Sequence, residues 1–219
     1  MYYEPGKTAH GLPHDPFKSC VVPRPIGWIS TLSQDGVANL APFSQFQNLT
    51  FDPPYVMFSA NQNTEGKRKD SVVNAETTQE FVWNMATYEL RDAVNQSAME
   101  VAPEEDEFEL AGLTKVAAKL VKPPRVAESP VQFECAYHMT LRLPGKGVMG
   151  SSDVVIGRVL AVHIADEALT DEGRLDIAKL RPIARLGYHD YTSVESIFEM
   201  VIPGTNEDIR RGMEGWSED

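Results

Sequence analysis

Residues 23–59 read PRPIGWISTLSQDGVANLAPFSQFQNLTFDPPYVMFS, and their reading decides the fold. An apolar run from Ile26 to Leu32 ends in hydroxyls, Ser30 and Thr31, and a Gln34-Asp35-Gly36 turn follows. Asp-Gly between two apolar arms is a strong hairpin signal. The second arm carries Asn39, Ala41, Pro42, Phe43 and Ser44. Amide, hydroxyl, small and flat apolar groups together are unusual for a core hairpin. They suit a platform for a flat, polar-edged, phosphorylated ligand. Successive strand side chains point to opposite faces, so Ser30 and Thr31 cannot both meet that ligand unless a bulge intervenes.

Working outward, strands are expected over 25–32, 36–41 and 55–60. A polar loop from Asn61 to Lys69 follows, and Asp70 reads as the N-cap of a short helix from Ser71 to Glu76. Residues 80–85 alternate like a strand, and Glu89 to Met99 reads as a helix. Residues 103–109 (PEEDEFE) read as an exposed acidic loop. Val131–Leu143 and Ser152–Ala165 are the longest strand candidates, and Asp176–Leu180 a helical turn. Three parts are expected: a lead-in segment over 1–22, one domain over 23–200, and a polar tail over 201–219. Many short strands joined by Gly- and Pro-bearing turns, with few helices, predict a mainly β barrel or sandwich with helical additions.

Composition excludes several function classes. The 219-residue chain carries 20 basic and 32 acidic residues, a net charge of −12. That balance opposes binding to a nucleic-acid backbone, where affinity comes from many Lys and Arg contacts. No apolar run approaches the ~20 residues of a membrane helix. Cys20 and Cys135 stand far apart without metal-ligand spacing, and no leader is visible, so a cytoplasmic location is expected. His10 and His14 have the spacing of a helical metal pair, but Gly11 and Pro13 oppose the helix, and no metal is expected.

Gly145-Lys146-Gly147-Val148-Met149-Gly150 fits the G-x-G-x-x-G pattern, yet the residues after it are strand-like. Dinucleotide binding needs a helix there, so the segment reads as a hairpin loop. No G-x-S-x-G elbow is present. His138 and His163 fall inside strands, where a hydrogen-bonded core role is the ordinary expectation. His189 reads as a surface loop residue, with ligand contact as the alternative. The run Lys67-Arg68-Lys69 just before the helix start is more informative. Cations there oppose the helix dipole unless an anion lies between them and the free N–H groups. With Ser30, Thr31 and Ser44 as hydroxyl donors, an anion site is favoured over three solvated charges.

These residues resemble the flavin reductase-like, FMN-binding split-barrel family. The likeness rests on Arg24-Pro25-Ile26-Gly27-Trp28-Ile29-Ser30-Thr31, on Gly36-x-x-Asn39-x-Ala41-Pro42-Phe43-Ser44, and on Asp52-Pro53-Pro54. It continues through Lys69-Asp70-Ser71-x-x-Asn74, through Asp106 to Leu113, and ends near Arg185-Leu186-Gly187-x-x-x-Tyr191. The resemblance implies a six-stranded Greek-key split barrel and a homodimer with FMN near the subunit interface. By position it implies a cofactor site drawn from Ser30, Thr31, Asn39, Ala41, Pro42, Phe43, Ser44, Ser59, Asn61, Lys67, Lys69, Asp70, Ser71 and Tyr191, and it assigns no catalytic residue. It implies FMN rather than FAD, with NADH or NADPH as donor. Free flavin, oxygen, or a monooxygenase or other redox partner would be the acceptor. An FMN electron-transfer protein without a nicotinamide site is the alternative.

Overall fold

In the computed structural model, which describes residues 1–200 and 202–204, the hairpin forms around its turn. The polar tail from residue 205 onward lies outside the described residues. β1 (Arg24–Pro25) leads into β2 (Gly27–Leu32), which returns as β3 (Ala38–Phe43). Ile29 stands opposite Ala41 and Thr31 opposite Asn39. Gly36 has φ 85°, the left-handed conformation that makes glycine the natural residue at this turn. β4 (Phe46–Phe51) and β5 (Pro54–Asn61) form a second hairpin.

The chain continues through α1 (Asp70–Thr78), β6 (Glu80–Asn84), α2 (Arg91–Gln96), α3 (Glu107–Leu110), β7 (Lys115–Val116) and β8 (Arg125–Val126). The long arms β9 (Val131–Leu143) and β10 (Ser152–Ile164) follow. α4 (Ile177–Leu180) and the hairpin β11 (Ile183–Gly187) and β12 (Asp190–Ser193) complete it. Among the described residues, one sheet runs β3-β2-β6-β9-β10-β5-β4, a second β1-β11-β12, and a third β7-β8. The large sheet does not close, since no ladder joins β3 to β4. This is the mainly β split barrel with helical additions. The sheet counts seven strands because β4 pairs outside β5.

The hairpin separates two cores because its side chains alternate. Ile29 joins Phe58, Phe81, Trp83 and Val155 of the sheet and Val72 and Ala75 of α1. Trp28 and Leu40 face the other way, toward Val94, Phe108, Val126 and Ile183. Gly157 marks a close approach in the first core: a Cβ there would run into the Phe81 ring, so β10 passes over that ring only as glycine.

Several expectations need correction. Residues 103–109 are not simply a solvated loop. The Asp106 carboxylate caps α3 by accepting from Phe108 N at 2.9 Å, and Glu107 and Phe108 are both buried. One aromatic anchor outweighs the surrounding charge. Lys69, not Asp70, is the N-cap of α1, and the helix runs to Thr78, ending where Gln79 turns left-handed at φ 64°. The helix expected over 89–99 contracts to α2, with turns after Ser97. The glycine-bearing stretch 145–150 is the loop between β9 and β10.

Candidate functional site

The inner face of the first hairpin receives α1. Ser71 and Asn74, three apart, lie on one side of the helix. Asn74 Nδ2 donates to Thr31 Oγ1 at 3.2 Å, and Asn39 Nδ2 donates to Ser71 Oγ at 3.4 Å. All four residues are buried, so these bonds fix the helix start over β3. Ser30 takes the opposite face, where its hydroxyl donates to Pro124 O at 2.5 Å. The two adjacent hydroxyls therefore serve different cores.

Where β3 meets the start of α1 a cleft opens. Asn39 to Phe43 supply one wall, apart from Leu40, and Arg68 to Ser71 supply the floor. Ser97 to Val101 supply the outer wall, and Asn63 and Glu107 complete the lining. No side chain caps α1. Its first N–H groups thus lack a capping side chain, with Val72 and Val73 N bonded to Lys69 O, and Asp70 and Ser71 of this first turn line the cleft.

The cations divide sharply. The Arg68 guanidinium grips Glu76 with two bonds, at 2.7 and 2.6 Å, and Asp153 Oδ2 at 2.9 Å. Glu76 is held below the usual carboxylate range, first by that bond. Lys69 Nζ bonds Glu100 Oε1. Burial raises the Asp70 carboxyl, which Lys69 partly offsets and Glu104 reinforces. Burial pushes Glu107 up to about 6 against the backbone N–H of Leu40, which donates to its Oε2 at 3.0 Å.

The structure brings Asn39, Ala41, Pro42, Phe43, Lys69, Asp70 and Ser71 together at this cleft, with Thr31 behind them. It places the other expected residues elsewhere. Ser44 O accepts from Arg24 Nε at 3.2 Å, and the Ser59 hydroxyl pairs with that of Ser152 at 2.6 Å. Asn61 Nδ2 donates to Met149 O at 3.1 Å. Lys67 is exposed and paired with Glu65 at 2.7 Å. Tyr191 lines a second cleft beside Tyr88, Arg91 and His189, its hydroxyl accepting from Arg185 Nη1 at 2.6 Å. His163 Nε2 meets Glu134 in the framework, whereas His138 is exposed on β9 with its ring edge-on to Tyr55 and takes no core role. Asn63, Ser97 to Val101 and Glu107 carry no local sequence signal for a site. Arg68 did stand within the cationic run.

The cleft fits FMN in its donor set: an uncapped helix start and an ammonium for a phosphate, and the Ala41-Pro42-Phe43 wall for a ring system. Comparison with known proteins agrees with this architecture. A family model described as "Flavin reductase like domain" matches residues 19–192. An uncharacterized protein of Halalkalibacterium halodurans is 37% identical over 183 residues, covering 84% of this chain and 87% of that protein. The crystal structure of nitrilotriacetate monooxygenase component B from Bacillus cereus superposes with a TM-score of 0.83 at 30% identity, covering 91% of this chain and 98% of that one. Flavoredoxin of Desulfovibrio vulgaris shares the fold, with a TM-score of 0.72 at 18% identity over 90% of this chain and 98% of its own. The chain belongs to the flavin reductase-like family.

Proposed function

We propose that this protein is an FMN-binding oxidoreductase that takes electrons from NADH or NADPH and passes them to free flavin, oxygen or a partner protein. The observation that carries the reading is the uncapped start of α1 beside Lys69, opening onto the Asn39–Phe43 strand. Lys69 and the N–H groups of Asp70 and Ser71 would hold the phosphate, and Ala41, Pro42 and Phe43 would offer the ring an apolar wall. Bound FMN supplies reversible hydride and electron chemistry. The chain's own residues bind and orient. Asn74 and Thr31 keep the helix start in place, and Glu107 holds the edge strand through Leu40 N. Orientation alone contributes several kcal/mol in reactions of this class.

The likeness to a monooxygenase component B supports a protein partner as acceptor. Exposed Met139, Leu141 and Leu143 of β9 and Leu160, Val162 and Ile164 of β10 support a homodimer. The test is an absorption titration with FMN, followed by anaerobic addition of NADH and NADPH. Saturable binding and bleaching by a nicotinamide are expected. No FMN affinity at micromolar concentration would end the reading. Bleaching by dithionite alone would favour the electron-transfer alternative.

A further inference from the structure

We propose that Glu100 is an internal anion that competes with the phosphate of FMN for Lys69. The proposal rests on the cleft reading above. Glu100 belongs to the segment between α2 and α3, whereas Thr64 and Lys69 belong to the loop between β5 and α1. Its carboxylate joins the two: Oε1 takes the Lys69 ammonium, and Oε2 accepts from Thr64 Oγ1 at 2.7 Å. One side chain therefore straps the outer wall of the cleft to its floor. Lys69, and after it Thr64, hold the Glu100 carboxyl below the usual range.

The strap is built to open. The Lys69 and Glu100 side chains are 30% and 40% exposed, so water can replace either partner. The neighbouring cations are not equivalent. Arg68 is committed to Glu76 and to Asp153, whose side chain is only 3% exposed. Lys67 points away, to Glu65, and does not line the cleft. Among the described residues, Lys69 is thus the cation that a phosphate at the helix start can recruit, and the phosphate must take that cation from Glu100. Two anions on one ammonium repel, so binding selects molecules with the strap open. The apparent affinity is the intrinsic affinity reduced to the open fraction. Riboflavin has no phosphate and makes no such demand. The device favours a flavin that exchanges over one held permanently.

The experiment titrates FMN and riboflavin into wild type, Glu100→Gln, Lys69→Ala and the double variant, read by quenching of flavin fluorescence. Glu100→Gln tightens FMN about fivefold, the scale of a half-exposed charge pair, and leaves riboflavin unchanged. Thr64→Val, which frees one end of the strap, tightens FMN about twofold. In the Lys69→Ala background the Glu100→Gln effect on FMN vanishes. Unchanged FMN affinity in Glu100→Gln overturns the proposal. Equal tightening with and without Lys69 also overturns it, because simple repulsion between carboxylate and phosphate would persist without the lysine. Failure of the cleft reading looks different: Lys69→Ala then weakens both ligands alike, or neither.

Discussion

The two clefts use their cations in opposite ways. The cleft beside β12 is the larger. Yet Arg91, the guanidinium among its described lining residues, lies over the Tyr88 ring at 4.2 Å, and Arg181 and Arg185, which do not line it, are held by residues that do: Arg181 by Tyr88 at 4.1 Å and by Glu195, Arg185 by Tyr191. Those charges are committed to rings and carboxylates. The smaller cleft sets one exchangeable ammonium beside an uncapped helix start, over a framework in which the next cation, Arg68, is fully engaged. Volume does not choose between the clefts; available charge does.

The framework under the smaller cleft gives the largest expected effect. Arg68→Met leaves Glu76 and the buried Asp153 without their main partner and lowers stability by about 3 kcal/mol in urea unfolding. A loss under 1 kcal/mol would mean that the floor is not built on this residue. Lys69→Ala sharpens the contrast. It costs FMN about 2 kcal/mol of binding, about thirtyfold in affinity, and spares riboflavin. Equal loss for both ligands would place Lys69 elsewhere in the chemistry.

The hairpin that walls the smaller cleft was legible because a turn signal, alternation and an odd mixture of side chains coincide within 23–43. Lys69, Asp70 and Ser71 were legible because cations precede a helix start. β4 was not, since only Phe46 is buried and five exposed residues follow, a pattern with no period. The outer wall at 97–101 and the buried Glu107 were hidden for another reason. Their place depends on contacts across the chain, such as Trp28 Nε1 to Ser97 Oγ at 2.9 Å and Leu40 N to Glu107. The signal for burial in this run is Phe108, the one aromatic among its acidic residues. Tyr191 came from resemblance alone, and the β11–β12 hairpin carries it to the other cleft.

The smaller cleft also carries a pH signature. Burial raises Glu107 to about 6 from its ordinary value near 4.5, with Asp106 and Asp70 adding to the rise. The folded state therefore holds this proton more tightly than the unfolded chain. Its contribution, at most about 2 kcal/mol, is full below pH ~4.5 and is lost as pH rises through ~6. Glu107→Gln should flatten that part of the stability profile measured in urea. An unchanged slope between pH 4.5 and 6 would show that another group titrates there. The smallest effect belongs to the larger cleft. Tyr191→Phe removes the bond from Arg185 and should leave FMN affinity unchanged, with stability altered by under ~0.5 kcal/mol. Weakened FMN in that variant would erase the distinction between the clefts.

A crystal structure of the FMN complex tests the central claim most directly. The phosphate should lie at the start of α1 against Lys69, with the ring along Ala41 to Phe43. A flavin lodged beside Tyr88 and Tyr191, with Lys69 still on Glu100, would contradict it.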